Sequence, residues 1–310
     1  MTKTLNTVVF FGSGPVAAAS LQRLVQCVTV EAVITKPRPH HHKGPVPVLD
    51  LATELGIPVF TATNKRELDA LFSRKPVKSR LGVLIDFGII VSQSVIDYFP
   101  LGIINSHFSI LPEWRGADPI SFAILSGQQT TGVSLMFLTA GLDEGNLLAY
   151  AEQTIAPDAT TPTLTTALIN LSDDLLRKDL PNVLACTPGD DTLRGFPQET
   201  TGRKLSYSRK LSKEDSQLDW QKPAQQLQRE IRAFIEWPKS RAFFGNLEVI
   251  ITDAHVDNSH GQAGQTTIID KKPAVFCSEG CLIIDQIKPA GKQEMTGEAF
   301  LAGYRQTFLG

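Results

Sequence analysis

Asn105, Ser106 and His107 follow an apolar run, Leu101–Ile104, and interrupt it with two side chains that can do chemistry. An Asn amide donates hydrogen bonds, and a His can donate, accept or shuttle a proton. A third candidate, Asp143, lies downstream in Gly-Leu-Asp-Glu-Gly (141–145). Its carboxylate could orient and charge the imidazole. Together the three types suit attack of an amine on an acyl carbon: two donors face the developing oxyanion, and a carboxylate handles the proton. On these residues alone, a polar turn after a buried strand explains Asn-x-His equally well.

Elements that could position such a trio are legible around it. Short apolar runs at Thr7–Phe11, Val28–Ile34, Pro58–Phe60, Leu81–Ile85, Leu101–Asn105 and Thr131–Leu138 read as strands. Helical stretches at Val16–Gln26, Val48–Leu55, Lys65–Phe72 and from Ser92 to Tyr98 alternate with the first of them, as βαβ units of a parallel sheet do. Open sheets of this kind bind ligands past the carboxyl ends of their strands, where Asn-x-His falls. A helix from Asp118, an edge strand over Leu147–Ala156 and a helical Leu164–Leu184 complete a first domain, residues 1–186. Thr187–Lys204 is rich in Gly, Pro and Thr, lacks periodicity and reads as a linker. Residues 205–310 form one amphipathic helix, ended at Trp237-Pro238, and then short strands, the pattern of a small OB-like β-barrel.

Other features invite competing functions. Gly12-x-Gly14-x-x-Ala17 after the first strand fits part of a dinucleotide fingerprint, but the second strand ends in Thr35-Lys36 rather than an acidic residue. A tight strand-to-helix turn accounts for the glycines, and NAD titration separates the two readings. Asp86-Phe87-Gly88 lacks every companion of the kinase motif set. The loop Lys36–Pro47 gathers Lys36, Arg38, His40, His41, His42 and Lys43. Adjacent residues of an extended loop diverge, so convergence on a metal is disfavoured; a cationic loop for phosphate and a merely solvated loop both remain open. The net charge of −2 argues against a non-specific nucleic-acid binder. The four cysteines are scattered with no zinc pattern, so reduced thiols are expected. No 18-residue apolar run and no signal-peptide pattern is present, so a cytoplasmic chain with no membrane span is expected.

The longer string Ile104–Ile120, INSHFSILPEWRGADPI, together with GLDEG, resembles the 10-formyltetrahydrofolate-dependent formyltransferase superfamily. Within it the chain is similar over nearly its whole length to the methionyl-tRNA formyltransferases, through Lys210-Leu211-Ser212-Lys213-Glu214-Asp215, Leu218-Asp219-Trp220, Arg232-Ala233-Phe234, Trp237-Pro238 and Pro289-Ala290-Gly291-Lys292. The resemblance implies a Rossmann-like formyltransferase domain and an open OB-like domain that meets tRNA. It implies Asn105, His107 and Asp143 as the catalytic trio, and Ser109, Ile110, Leu111 and Pro112 as a folate-contacting loop. It further implies that Ile85, Asp86, Phe87, Gly88 and Ile90 line the pterin pocket. The donor is then 10-formyltetrahydrofolate, the acceptor methionyl-initiator tRNA, and the loop 36–47 reaches the acceptor end. No metal is expected, because the formyl group is already activated on N10, and a monomer is expected. An amino-sugar nucleotide is the alternative acceptor, and a non-catalytic RNA-binding module is the alternative class. The chain departs from the family pattern at Glu113, Asp118 and Asp86-Phe87-Gly88, and its loop after the second strand is short.

Overall fold

The structure, a computed structural model, describes residues 6–39, 41 and 43–310. Along the chain run β1 (Thr7–Phe11), α1 (Pro15–Leu24), β2 (Thr29–Thr35), α2 (Pro47–Glu54), β3 (Val59–Thr61), α3 (Lys65–Phe72), β4 (Leu81–Leu84) and α4 (Gln93–Ile96). Then come β5 (Ile103–His107), β6 (Arg115–Gly116), α5 (Pro119–Ser126), β7 (Thr130–Phe137), β8 (Leu147–Thr154) and α6 (Thr161–Ala185). The remainder holds β9 (Tyr207–Ser208), α7 (Ala224–Ala233), β10 (Ser240–Phe244), β11 (Leu247–Asp257), β12 (Thr266–Ile269), β13 (Lys272–Phe276), β14 (Cys281–Pro289), β15 (Met295–Thr296) and α8 (Gly297–Leu309). Among the described residues no helix is long and apolar enough to cross a membrane.

Two compact units emerge, and each is interrupted in sequence. The first comprises residues up to Gly116, Thr130–Thr154 and Thr165–Tyr207; the second comprises Ala117–Gln129, Ile155–Leu164 and Ser208–Gly310.

The first unit is built on a seven-stranded sheet of order β3-β2-β1-β4-β5-β7-β8. The first five strands are parallel, and β7 and β8 are antiparallel additions. All five residues of β1 (TVVFF) are buried, as a central parallel strand covered on both faces requires. Pro15, which lacks an N–H to satisfy, opens α1 directly after the glycine turn. Asn64 and Ser92 accept from the third backbone N–H of α3 and α4 and cap them. Phe11 packs edge-on against Phe87 with ring centroids 5.5 Å apart, which fastens the loop after β4 onto the core. The strand order reverses between β1 and β4, so the crevice past their carboxyl ends is the topological switch point of the sheet.

The second unit carries an antiparallel sheet of order β10-β11-β14-β13-β12, with β15 added to β14. Register shifts around Asp253 mark a bulge in β11 that bends the sheet. Its path is open rather than closed on itself, in keeping with an open OB-like domain. Strands alone do not complete it: α8 follows the last of them and buries Phe300, Leu301 and Phe308. Phe308 meets Phe244 edge-on at 4.7 Å, so the helix fills one face of the sheet. Cys277 lies in this core and Cys281 packs with Ala274 and Ile283; burial pushes both thiols up to about 11.

Candidate active site

The sequence placed the strand end at Asn105; β5 instead runs on to His107, so Asn105 and His107 both lie within it. Antiparallel pairing extends the strand, with Asn105 opposite Met136 and His107 opposite Ser134 of β7. Alternate residues of a strand face opposite sides, so Asn105 and His107 share one face and Ser106 takes the other. There the Ser106 hydroxyl meets Ser172 of α6 at 2.7 Å. Both Asn105 and His107 are 6% exposed.

Asp143 arrives from the turn after β7 and joins them. Its Oδ1 accepts from Asn105 Nδ2 at 3.4 Å, and its Oδ2 lies 3.8 Å from His107 Nδ1. Oδ2 also accepts the backbone N–H of Gly116 at 2.8 Å. His107 Nε2 lies 2.9 Å from the Trp114 carbonyl. A carbonyl only accepts, so Nε2 carries the hydrogen and Nδ1 is the nitrogen turned toward the carboxylate. Asp143 sits at φ +49°, and Gly145 two residues on has no room for a side chain: a Cβ would stand 1.7 Å from the Phe137 carbonyl oxygen. The second glycine of Gly-Leu-Asp-Glu-Gly is thus a backbone requirement for delivering the carboxylate.

Ser109, Ile110, Leu111 and Pro112 turn under the site. The first three are fully buried, so their side chains support the loop from inside. Ser134 of β7 donates to the Ser109 carbonyl at 2.8 Å and accepts from Leu111 N at 3.0 Å. Glu113 points into a half-buried position 3.8 Å from Arg203. Burial holds its carboxyl above the ordinary range; Arg203 opposes the shift and Glu152 adds to it.

Ile85, Asp86, Phe87 and Gly88 lie at the switch point. Ser13 donates its N–H to the Asp86 carbonyl at 3.0 Å and its hydroxyl to the Phe87 carbonyl at 3.1 Å. The Asp86 carboxylate lies over Gly14, 2.1 Å from where a Cβ would stand, so a side chain there would displace it. The glycine turn therefore fits the loop after β4, and Glu31, the acidic residue inside β2, is spent on the N–H groups of Lys78 and Ser79 at 2.8 and 2.6 Å. Ile85 and Phe87 are buried; Asp86, Gly88 and Ile90 are exposed.

The cationic loop divides. Lys36 brings its ammonium beside Gly88, 3.1 Å from where a Cβ would stand. Arg38 is occupied inside the loop, donating to the Gly44 carbonyl and to Asp50, each at 2.6 Å. His41 and Lys43 are exposed. His40 and His42 lie outside the described residues.

The supposed linker and the residues just after it contribute most of what the sequence reading missed. Thr201 donates to the Leu111 carbonyl at 3.0 Å, and Ser206 bonds Pro112, Trp114 and Arg115 through its backbone and hydroxyl. Gln198, 2% exposed, sits between Arg115 and the turn that carries Asp143. Only the Trp-Arg-Gly string hinted at Arg115; nothing in the aperiodic 187–204 stretch marked Gln198.

Comparison with known proteins bears on this arrangement. Residues 6–179 match the family described as Formyl transferase, and residues 210–305 match Formyl transferase, C-terminal domain. The methionyl-tRNA formyltransferase of Thiobacillus denitrificans is 35% identical over 305 residues, covering 96% of each chain. That of Magnetococcus marinus is 33% identical over 304 residues, covering 96% of this chain and 95% of its own. Among solved structures, the N-formyltransferase of Helicobacter canadensis, in complex with folinic acid and dTDP-3-aminofucose, superposes with a TM-score of 0.67 at 19% identity, over 94% of this chain and all of its own. HypX of Aquifex aeolicus, in complex with tetrahydrofolic acid, gives a TM-score of 0.60 at 17% identity, over 97% of this chain and 47% of its own. At those identities the likeness is one of fold.

Proposed function

The chain belongs to the methionyl-tRNA formyltransferase family, and we propose on that footing that Asn105, His107 and Asp143 carry its chemistry. It transfers a folate-borne formyl group to the α-amino group of methionyl-initiator tRNA. The donor in this reading is 10-formyltetrahydrofolate, with its pterin at the switch point beside Ile85–Gly88 and Ile90.

The observation that carries the reading is the convergence of Asn105 and His107 on one carboxylate, Asp143. The amine attacks the formyl carbon, and a C–N bond forms while the carbonyl oxygen gains charge. The Asn105 amide and the protonated imidazole, through Nδ1, hydrogen-bond that oxygen. Asp143 stabilises the imidazolium and accepts the proton leaving the amine, directly or through a water. The bond to N10 then breaks, and N10 takes a proton. Nearly complete burial strengthens each of these interactions relative to water.

Formyl transfer from 10-formyltetrahydrofolate to charged initiator tRNA tests the roles. Asn105→Ala and Asp143→Asn are each expected to lower kcat by ~10²–10³, roughly 3–4 kcal/mol of transition-state stabilisation. Turnover equal to the unaltered enzyme in either variant contradicts the assignment.

A further inference from the structure

We propose that Gln198 is a positioning residue for Asp143, acting through the backbone of the turn that bears it. The proposal rests on the formyl-transfer reading above. Gln198 opens a short 3-10 turn, Gln198–Thr201, in the stretch that sequence alone marks as a linker. Its side-chain oxygen accepts from Arg115 Nε at 3.1 Å and Nη2 at 2.7 Å. Its side-chain nitrogen donates to the Asp143 and Gly145 carbonyls, both at 2.8 Å. Two lone pairs and two N–H groups are the full capacity of a primary amide, and all are used. The amide orientation is forced. Reversed, the NH₂ would face a guanidinium that only donates, and the oxygen would face two carbonyls that only accept.

The turn has few other restraints. Leu142 is 57% exposed, and Gly141 and Glu144 are also exposed. Asp143 holds a left-handed backbone, an uncommon conformation for a residue with a side chain, though less so for aspartate than for most. Gln198 grips two carbonyls on the C-terminal side of that residue, those of Asp143 and Gly145. It is itself held by paired backbone bonds between Phe196 and Leu147, at 2.8 and 2.9 Å. Arg115 adds a second connection, since its neighbour Gly116 donates to the Asp143 carboxylate. One buried amide thus ties the backbone of the carboxylate to the strand whose N–H receives it. Burial of so polar a group is costly unless each partner is in place, so it specifies the geometry of all of them.

The test uses the full-length protein with Gln198→Met, which keeps the volume and removes all four bonds, and Gln198→Glu, which keeps the acceptors for Arg115 and loses both donors. Both should lower kcat by ~10–100-fold while each KM stays within about threefold, because the lost interaction matters in the transition state. In an Asp143→Asn background the same substitutions should change kcat by less than about threefold, since a residue that acts through another couples to it. Deuterium exchange at the Gly116 amide, which reports the carboxylate in place, should accelerate in both variants while distant amides are unaffected. Unchanged kcat, an equal loss in both backgrounds, or unchanged exchange at Gly116 overturns the proposal. If the unaltered enzyme transfers no formyl group, the catalytic reading falls separately, and exchange at Gly116 alone decides whether Gln198 fixes the carboxylate.

Discussion

The two nitrogens of His107 are engaged differently: Nε2 is held by the Trp114 carbonyl, and Nδ1 faces Asp143, the side on which the proposed chemistry places the formyl group. Gly145 makes that geometry possible, and Gly145→Ala should move the turn, because its Cβ would overlap the Phe137 carbonyl oxygen. We expect a kcat loss comparable to that of Asp143→Asn together with a lower Tm; a variant with normal kcat would show that the turn tolerates the displacement. Glu113 gives a pH-dependent test. Its folded pKa is raised by burial, so the charged form disfavours folding increasingly as the pH rises above the ordinary Glu value and fully above the folded one, and the penalty vanishes in acid. Glu113→Gln should therefore raise Tm at pH 7–8 and leave it unchanged near pH 4, the lower end being set by the ordinary Glu pKa of about 4.3. Thermal melts at both pH values read this directly, and an equal gain at both would point to packing rather than charge. At this scale the sequence displayed the trio because strand-end Asn-x-His and Gly-x-Asp-x-Gly are local strings. It concealed Gln198 because a buried amide is recognised by its partners, and these lie 53 to 83 positions away.

Among the elements, β5 decides most. Its antiparallel partner β7 lengthens it by two residues beyond the sequence-based end, and that pairing aligns Asn105 with His107. The parallel core strands were legible because they are short, continuous and apolar. Helix α8 was passed over, although Phe300, Leu301, Tyr304 and Phe308 have helical spacing, because the run of strands before it suggested more of the same. The loop 36–47 illustrates how composition overstates available charge. Arg38 is neutralised by Asp50 and closes the loop, whereas Lys43 is exposed. In the proposed tRNA contact, Lys43→Ala should reduce the slope of log affinity against log salt by about 1, as loss of one phosphate contact does. Arg38→Ala should weaken tRNA binding with little change in slope, because it loosens the loop rather than removing a free charge. Filter-binding titrations over a salt series measure both; a full unit of slope lost in Arg38→Ala would mean that Asp50 releases it on binding.

For the whole molecule, chain order and packing do not coincide. Residues 117–129 and 155–164 precede the aperiodic 187–204 stretch yet cluster with 208–310. Helix α5 packs on α7 within that unit and buries Ile120 and Ile124. A chain ended after Tyr207 would leave α5 without this cover, and we expect it to aggregate rather than melt cooperatively. A soluble, cooperatively folding product that still transfers formyl groups would contradict the interleaving. The most direct test of the central claim offers the full chain 10-formyltetrahydrofolate with charged methionyl-initiator tRNA and an amino-sugar nucleotide in the same reaction. The account predicts formylation of the tRNA alone, lost on Asp143→Asn; formylation of the sugar alone, or transfer undiminished by that substitution, would contradict it.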